Sequence, residues 1–274
     1  MARKDQVSYF IVGAKGRLGA ALRCEFSKES IVSLDRNVYA NWINDNGADR
    51  VSNYFNNIGV KPTVFVASGL LNPSISGLDL FNVNYRLPAN IAEGVTRIGG
   101  NVLTFGTVME RVSNKSNPYI ESKRDLNRYI QSMTNNNVTH IQLHTMYGIG
   151  SPSPFMFLGQ MLESIKNNEV FKMTSGEQLR EYHHFMDDVK AIRKIIECEV
   201  NGVIDISHGN PISLKELAEY VFSFFHKSKM LEVGGLPHSE SENYNMKFEK
   251  PPVLYDVNFR ETLESVSKYL LRCH

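Results

Sequence analysis

Apolar residues along the chain fall into short continuous runs that alternate with longer stretches at helical spacing. Val7–Val12 is a run of buried-strand type, and Leu18, Ala21, Leu22, Glu25 and Phe26 after it trace a helix. Ile31–Leu34 predicts a second strand. Val51, Tyr54, Phe55 and Ile58 then share one helical face within Asp49–Ile58, and Thr63–Ala67 predicts a third strand. Leu87, Ile91, Val95 and Ile98 mark a further helix, followed by a strand over Asn101–Phe105. A helix over Tyr119–Met133 and a strand over Val138–Leu143 continue the alternation.

Strands that are apolar throughout, separated by amphipathic helices, predict a parallel sheet covered on both faces. Right-handed crossovers wind such a sheet both ways from its middle, so a doubly wound α/β fold is expected. The alternation weakens after Gly148. Ser151–Pro154 reads as a loop before a helix carrying Phe155, Leu158, Met161, Leu162 and Ile165. Val203–Ser207 predicts one more strand. Ser213 and Glu216 form a capping box for a helix with Leu217, Tyr220, Val221 and Phe224 on one face. Phe222, Phe224 and Phe225 are expected in the core there, Leu236–Pro252 in a loop, and Glu261–Leu271 in a last helix. The expected organisation is a first domain over residues 1–148, rejoined by 187–210, and a smaller lobe made of 149–186 and 211–274.

Composition narrows the function classes. A formal net charge of +1 gives no reason to expect a nucleic-acid partner. Met1–Ser8 is polar and Tyr9–Gly13 is too short for a signal-peptide core or a membrane span, so a cytoplasmic protein without a membrane partner is expected. Cys24, Cys198 and Cys273 are odd in number and far apart, which suits neither a disulfide framework nor a zinc site. His183 and His184 beside Asp187 and Asp188 resemble a metal cluster, but adjacent residues do not easily face one ion. A loop and helix-cap role, with no metal, is the expectation.

Gly13, Gly16 and Gly19 lie between the first strand and the first helix, with Arg17 and Leu18 opening that helix. Close backbone approach to a pyrophosphate requires residues without a Cβ, and a helix N-terminus supplies free N–H groups and positive potential. Asp35, at the end of the second strand, is placed to bind both ribose hydroxyls of an adenosine. Such a carboxylate repels a 2′-phosphate, while Arg36 beside it offers that phosphate a partner. NAD is therefore favoured as cofactor and NADP stays possible.

Tyr119 is the only tyrosine with a lysine, Lys123, four residues further on, which places both on one helical face. A phenol of pKa roughly 10 is a poor acid–base catalyst at neutral pH. An adjacent ammonium and a positive nicotinamide ring stabilise the phenolate and pull that pKa down. Thr107, just past the strand, is suited to hold a substrate oxygen.

These residues together resemble the extended short-chain dehydrogenases/reductases, also called the NAD-dependent epimerase/dehydratase family, over nearly the whole chain. Gly13, Gly16 and Gly19 match its glycine motif. Val64–Gly69, with Ala67, Ser68 and Gly69, is similar to its fourth-strand segment beside the cofactor, and Asn84 to the asparagine of the next helix. Tyr119, Lys123 and Thr107 match its catalytic residues. Met146–Gly148 and the stretch Gly176–Val189 are similar to segments of the second half, where the resemblance gives Arg180 to the nucleotide or diphosphate of a nucleotide sugar.

The chain departs from the family between Thr107 and Tyr119, where the loop is short, and at Gln142, where an arginine is common. Thr107, Glu110, His144, Tyr147 and Arg180 make up the expected substrate-binding set, Glu110 as an additional acid or base. The resemblance implies a Rossmann-like domain with a smaller C-terminal substrate-binding lobe, and a homodimer formed through Asn84–Ile98 and Tyr119–Met133. It implies NAD(P)-dependent reduction or epimerisation of a nucleotide-linked sugar. Short loops favour a 4-ketoreductase of 4-keto-6-deoxy sugars over an epimerase, and the apolar pair Val108–Met109 disfavours a dehydratase. The rival from another class is a non-catalytic dinucleotide-binding sensor or scaffold, against which the Tyr119–Lys123 pair argues.

Overall fold

The first apolar run forms β1 (Ser8–Val12), and the glycine-rich turn leads into α1 (Arg17–Glu25) and β2 (Ile31–Ser33). This is a computed structural model describing residues 8–112, 117–134, 137–237 and 247–274. Met1–Val7, Ser113 and the middle of the expected 236–252 loop lie outside the described residues. The chain divides into two compact units. One comprises 1–111, 116–143 and 192–205, the other 112–115, 144–191 and 206–274.

The first unit continues through α2 (Arg36–Tyr39), α3 (Gly47–Ile58), β3 (Pro62–Val66), α4 (Gly77–Phe81) and α5 (Leu87–Arg97). β4 (Asn101–Thr107), α6 (Met109–Val112), α7 (Pro118–Ser132) and β5 (Val138–Leu143) follow. Five strands pair in parallel with a sixth, β10, that returns late in the chain, in the order β10-β5-β4-β3-β1-β2.

The strands follow the order expected from the periodicity. Between β2 and β3 the chain holds only helical turns. The segment likened to the family's fourth strand is therefore β3, and the helix bearing Tyr119 follows the fourth strand. Polar residues at Asn44–Asn46 and Asn56–Asn57 leave no apolar run there from which a buried strand could form.

Packing explains why these elements stay together. Phe10, Val12, Val64, Val66 and Val102 project from the strands onto Val51 and Phe55 of α3, Ile91 and Val95 of α5, and Leu126 and Ile130 of α7. Each such side chain contributes roughly 1.5–3 kcal/mol when removed from water.

The second unit contains β6 (Thr145–Tyr147), α8 (Phe157–Asn167), β7 (Phe171–Met173), β8 (Leu179–Arg180) and β9 (Tyr182–His184). α9 (Phe185–Glu197) starts there and ends in the first unit, leading to β10 (Gly202–Asp205). Arg193 of its second half holds Glu25 Oε1 at 2.6 Å and Glu29 Oε1 at 2.7 Å, with its guanidinium over the Phe26 ring. β11 (Ile212–Ser213), α10 (Leu214–Phe224), β12 (Leu231–Val233) and α11 (Thr262–Cys273) complete the second unit.

Three two-stranded sheets, β6 with β9, β7 with β12 and β8 with β11, had no counterpart among the expected elements. Strands of two or three residues are too short to show a period. Ser213 caps α10 as expected, its Oγ accepting the Glu216 N–H at 3.0 Å. Phe222 lies in the core with Leu158, Met161, Leu162, Leu217 and Leu270. Phe225 is only partly buried against that core, and Phe224, expected beside it, is half-buried. No helix among the described residues is long and apolar enough to cross a membrane.

Candidate active site

The chain leaves β1 for β2 on one side and returns to β3 on the other, so a crevice opens beyond the C-terminal ends of β1 and β3. The glycine turn occupies that place. Gly13 has φ +85°, and a Cβ there would lie 2.5 Å from the Ser68 nitrogen and 2.7 Å from the Ala67 carbonyl carbon. A Cβ at Gly19 would meet the Gly13 oxygen at 2.4 Å. These two glycines let the turn, α1 and the Ala67–Ser68 backbone close on one another. Gly16 is the N-cap of α1, and no side chain caps the helix or puts an acid in the Arg17–Leu18–Gly19 turn. Such an end suits a phosphate.

Asp35 ends the second strand segment and accepts the Asn37 N–H at 3.0 Å, capping the short α2 that begins with Arg36. Asp35 is exposed. Asn84 sits in a π-helical turn, Asn82–Arg86, and is fully buried. Its amide exchanges two bonds with the Leu70 backbone, both 2.9 Å, and so fixes the Gly69–Leu70 loop. A Cβ at Gly69 would stand 3.6 Å from Asn84 Oδ1 and 3.9 Å from Lys123 Nζ, which places all three residues in one neighbourhood.

Tyr119 stands in the first turn of α7, whose cap Asn117 accepts the Tyr119 N–H at 2.8 Å. Lys123, one turn on, is buried and donates to the Phe105 carbonyl at 2.7 Å. Burial pushes the Lys123 ammonium down to about 8, against the opposing pull of the Glu110 carboxylate. The Tyr119 phenol is raised, first by burial and then by Glu110. In the protein without cofactor the Lys123 ammonium donates to a backbone carbonyl, and the phenol lies above its usual range.

Glu110 is the residue placed most differently from expectation. Expected as an additional acid or base of the pocket, it lies in α6 and is only 6% exposed. Its oxygens accept from the Thr107 N–H at 2.7 Å, Gln142 Nε2 at 2.9 Å and Asn127 Nδ2 at 3.0 Å, and lie 3.2 Å from His140 Nε2. His140 Nδ1 continues to Thr104 Oγ1 at 2.8 Å. Burial works to raise the Glu110 carboxyl, but the His140 contact and the other donors hold it below its usual range. Strand alternation builds the network. His140 and Gln142 share one face of β5, and Gly106 opposite Gln142 leaves the space that Glu110 and His140 fill. The strand Val138–Leu143 carries these two polar residues at alternate positions, a signal in the sequence that pointed to this cluster. Thr107 is thereby held through its backbone, with its Oγ1 3.3 Å from the Met109 nitrogen.

The sequence profile of the NAD dependent epimerase/dehydratase family matches residues 9–207, the greater part of the chain. The chain belongs to the NAD-dependent epimerase/dehydratase family. Solved structures agree with this fold. A dTDP-4-dehydrorhamnose reductase from Yersinia enterocolitica superposes with a TM-score of 0.77 at 17% identity, over 96% of this chain and 98% of that one. The same enzyme from Bacillus anthracis, in complex with NADP, gives 0.74 at 17% identity over 98% and 100%. A UDP-N-acetylglucosamine 4-epimerase from Methanobrevibacter ruminantium gives 0.76 at 13% identity over 97% and 96%. No curated protein matches the sequence.

The remaining expected site residues of this family member lie in its second unit. Arg180, on β8, donates to the Leu179 carbonyl at 2.8 Å. Tyr147 is 2% exposed and forms part of the second core, its ring against His184 and Tyr269. Substrate contact is thus not what holds this tyrosine. His144 is buried and stacks on His183 at 5.0 Å. His184 accepts the Met186 N–H at 3.1 Å at the start of α9, the cap role expected of it.

Proposed function

We propose that the chain is an NAD(P)-dependent reductase of a nucleotide-linked 4-keto-6-deoxy sugar. The observation that carries this reading is Tyr119 one turn before the buried Lys123 on α7, with Lys123 Nζ reaching the Gly69 loop beside the glycine turn. The Gly13–Gly19 turn and the open end of α1 would hold the pyrophosphate, and Asp35 the adenosine ribose. The nicotinamide, when bound, supplies the hydride.

The residues of the chain do the rest. Tyr119 Oη gives its proton to the keto oxygen as that oxygen becomes an alcohol. Lys123 Nζ, a cation in a dry site, stabilises the phenolate that remains. Thr107, its backbone fixed by Glu110, orients the oxygen. The short connection between Thr107 and Tyr119 supports a reductase over an epimerase. The likeness of the whole fold to solved dTDP-4-dehydrorhamnose reductases supports the same substrate class.

The test is to mix the purified chain with NADH or NADPH and a panel of dTDP-, UDP-, GDP- and CDP-linked 4-keto-6-deoxy sugars. Loss of reduced-nicotinamide absorbance with one sugar and one cofactor is the expected result. No consumption with any sugar, together with NAD released on denaturation, would replace the reductase by an epimerase that keeps its cofactor.

A further inference from the structure

The second unit carries a buried cluster of histidines and acids. Glu181 and His183 are two residues apart on one face of an extended segment, while His184 and Tyr182 face the other way. His144, Glu181 and His183 are all buried, and each offers a ligand atom within 4.8 Å of the others. The pair His183–His184, suspect on sequence grounds, is thus replaced by residues that do converge.

We propose that His144, Glu181 and His183 form a binding site for a divalent transition-metal ion of the zinc class. Glu181 Oε2 and His183 Nε2 are 3.0 Å apart, close to the spacing of about 3.3 Å between neighbouring ligands of such an ion.

The surroundings are those of a supported site. Asp188 Oδ1 lies 2.8 Å from His183 Nδ1, the carboxylate–histidine arrangement that fixes a ligand's tautomer and orientation. Ser207 Oγ at 2.7 Å and the His208 N–H at 2.8 Å hold Glu181 in place. The His208 ring lies 4.7 Å from the His183 ring. Its Nδ1 accepts the Asn210 N–H, and its buried Nε2 has no hydrogen-bond partner, nor has Asp188 Oδ2. Charge favours an ion as well. Two buried carboxylates, Glu181 and Asp188, flank His183, and a divalent cation among these ligands balances both. Asp187, next in the chain, is already paired with Arg260 at 2.7 Å and takes no part.

The experiment titrates the chain, freed of metal by EDTA dialysis, with Zn²⁺ in competition with a chromophoric chelator, and repeats the titration for His183→Gln and His144→Gln. The expected result is one ion per chain, with affinity at least tenfold weaker in each variant. His144→Gln removes a donor but leaves His183 bridging its two carboxylates, so it decides the matter should His183→Gln fail to fold. Co²⁺ should give a visible d–d band that is lost in His144→Gln. Absence of saturable binding, or wild-type affinity retained in folded His144→Gln, would overturn the site and leave a proton as the only bridge between the two carboxylates.

Discussion

Two buried basic groups of this protein answer the same force in opposite ways. Burial disfavours the charged form of both Lys123 and His183. Lys123 yields and falls to about 8, because its one close partner is the neutral Phe105 carbonyl and the Glu110 charge is spent on four other donors. His183 does the reverse and rises to about 9, because Asp188 and Glu181 lie directly on its two nitrogens. A buried charge in direct contact with a counter-charge is locked. A buried charge held only by a dipole is ready to move a proton. The contrast separates a cluster built to bind from a cluster built to react.

Substitutions can break the comparison, the largest effect first. In EDTA-treated protein, Asp188→Asn should cost about 3–5 kcal/mol in urea unfolding, because it strips a partner from a buried charge pair. Lys123→Met should lower turnover by about 10²-fold while changing stability by no more than about 1 kcal/mol. An equal loss of stability would make Lys123 a structural residue and erase the contrast. Gly19→Ala should weaken NADH binding, read by fluorescence titration, and destabilise the chain by about 1–3 kcal/mol, since its Cβ would press on the Gly13 oxygen.

The smallest effect is in the pH profile. With Lys123 at about 8, kcat/KM should fall above that pH as the ammonium is lost. The Glu110 charge raises the Lys123 value, so Glu110→Gln should move this basic limb to lower pH, by less than about one unit. A limb that stays in place would remove Glu110 from the electrostatics of the site.

Much of the first unit was legible in the chain. Runs such as Ile11–Val12 and Val64–Val66 are apolar at every position, which only a strand covered on both faces permits, and the glycine turn announced the switch point of the sheet. The Tyr119–Lys123 pair was legible from helical spacing alone. Its electrostatic surroundings were not, because they depend on burial and then on Glu110, whose four partners come from β4, α7 and β5. The His144–His183–His208 stack was hidden for a related reason. Its members lie far apart in the sequence, and β9, which carries His183, and β6, which begins one residue after His144, are too short to register as a pattern. Local periodicity encodes elements, while clusters of polar side chains drawn from several elements become visible only once those elements are packed.

The most direct test of the central claim compares Tyr119→Phe with the wild type in two measurements on the same protein, the single-turnover rate of hydride transfer and the dissociation constant of NADH or NADPH. The expected result is a rate lower by at least about 10³-fold with cofactor affinity unchanged, the signature of a lost proton donor in an intact site. A rate that survives the substitution would contradict the assignment of Tyr119 as the acid and return the chain to the class of dinucleotide binders.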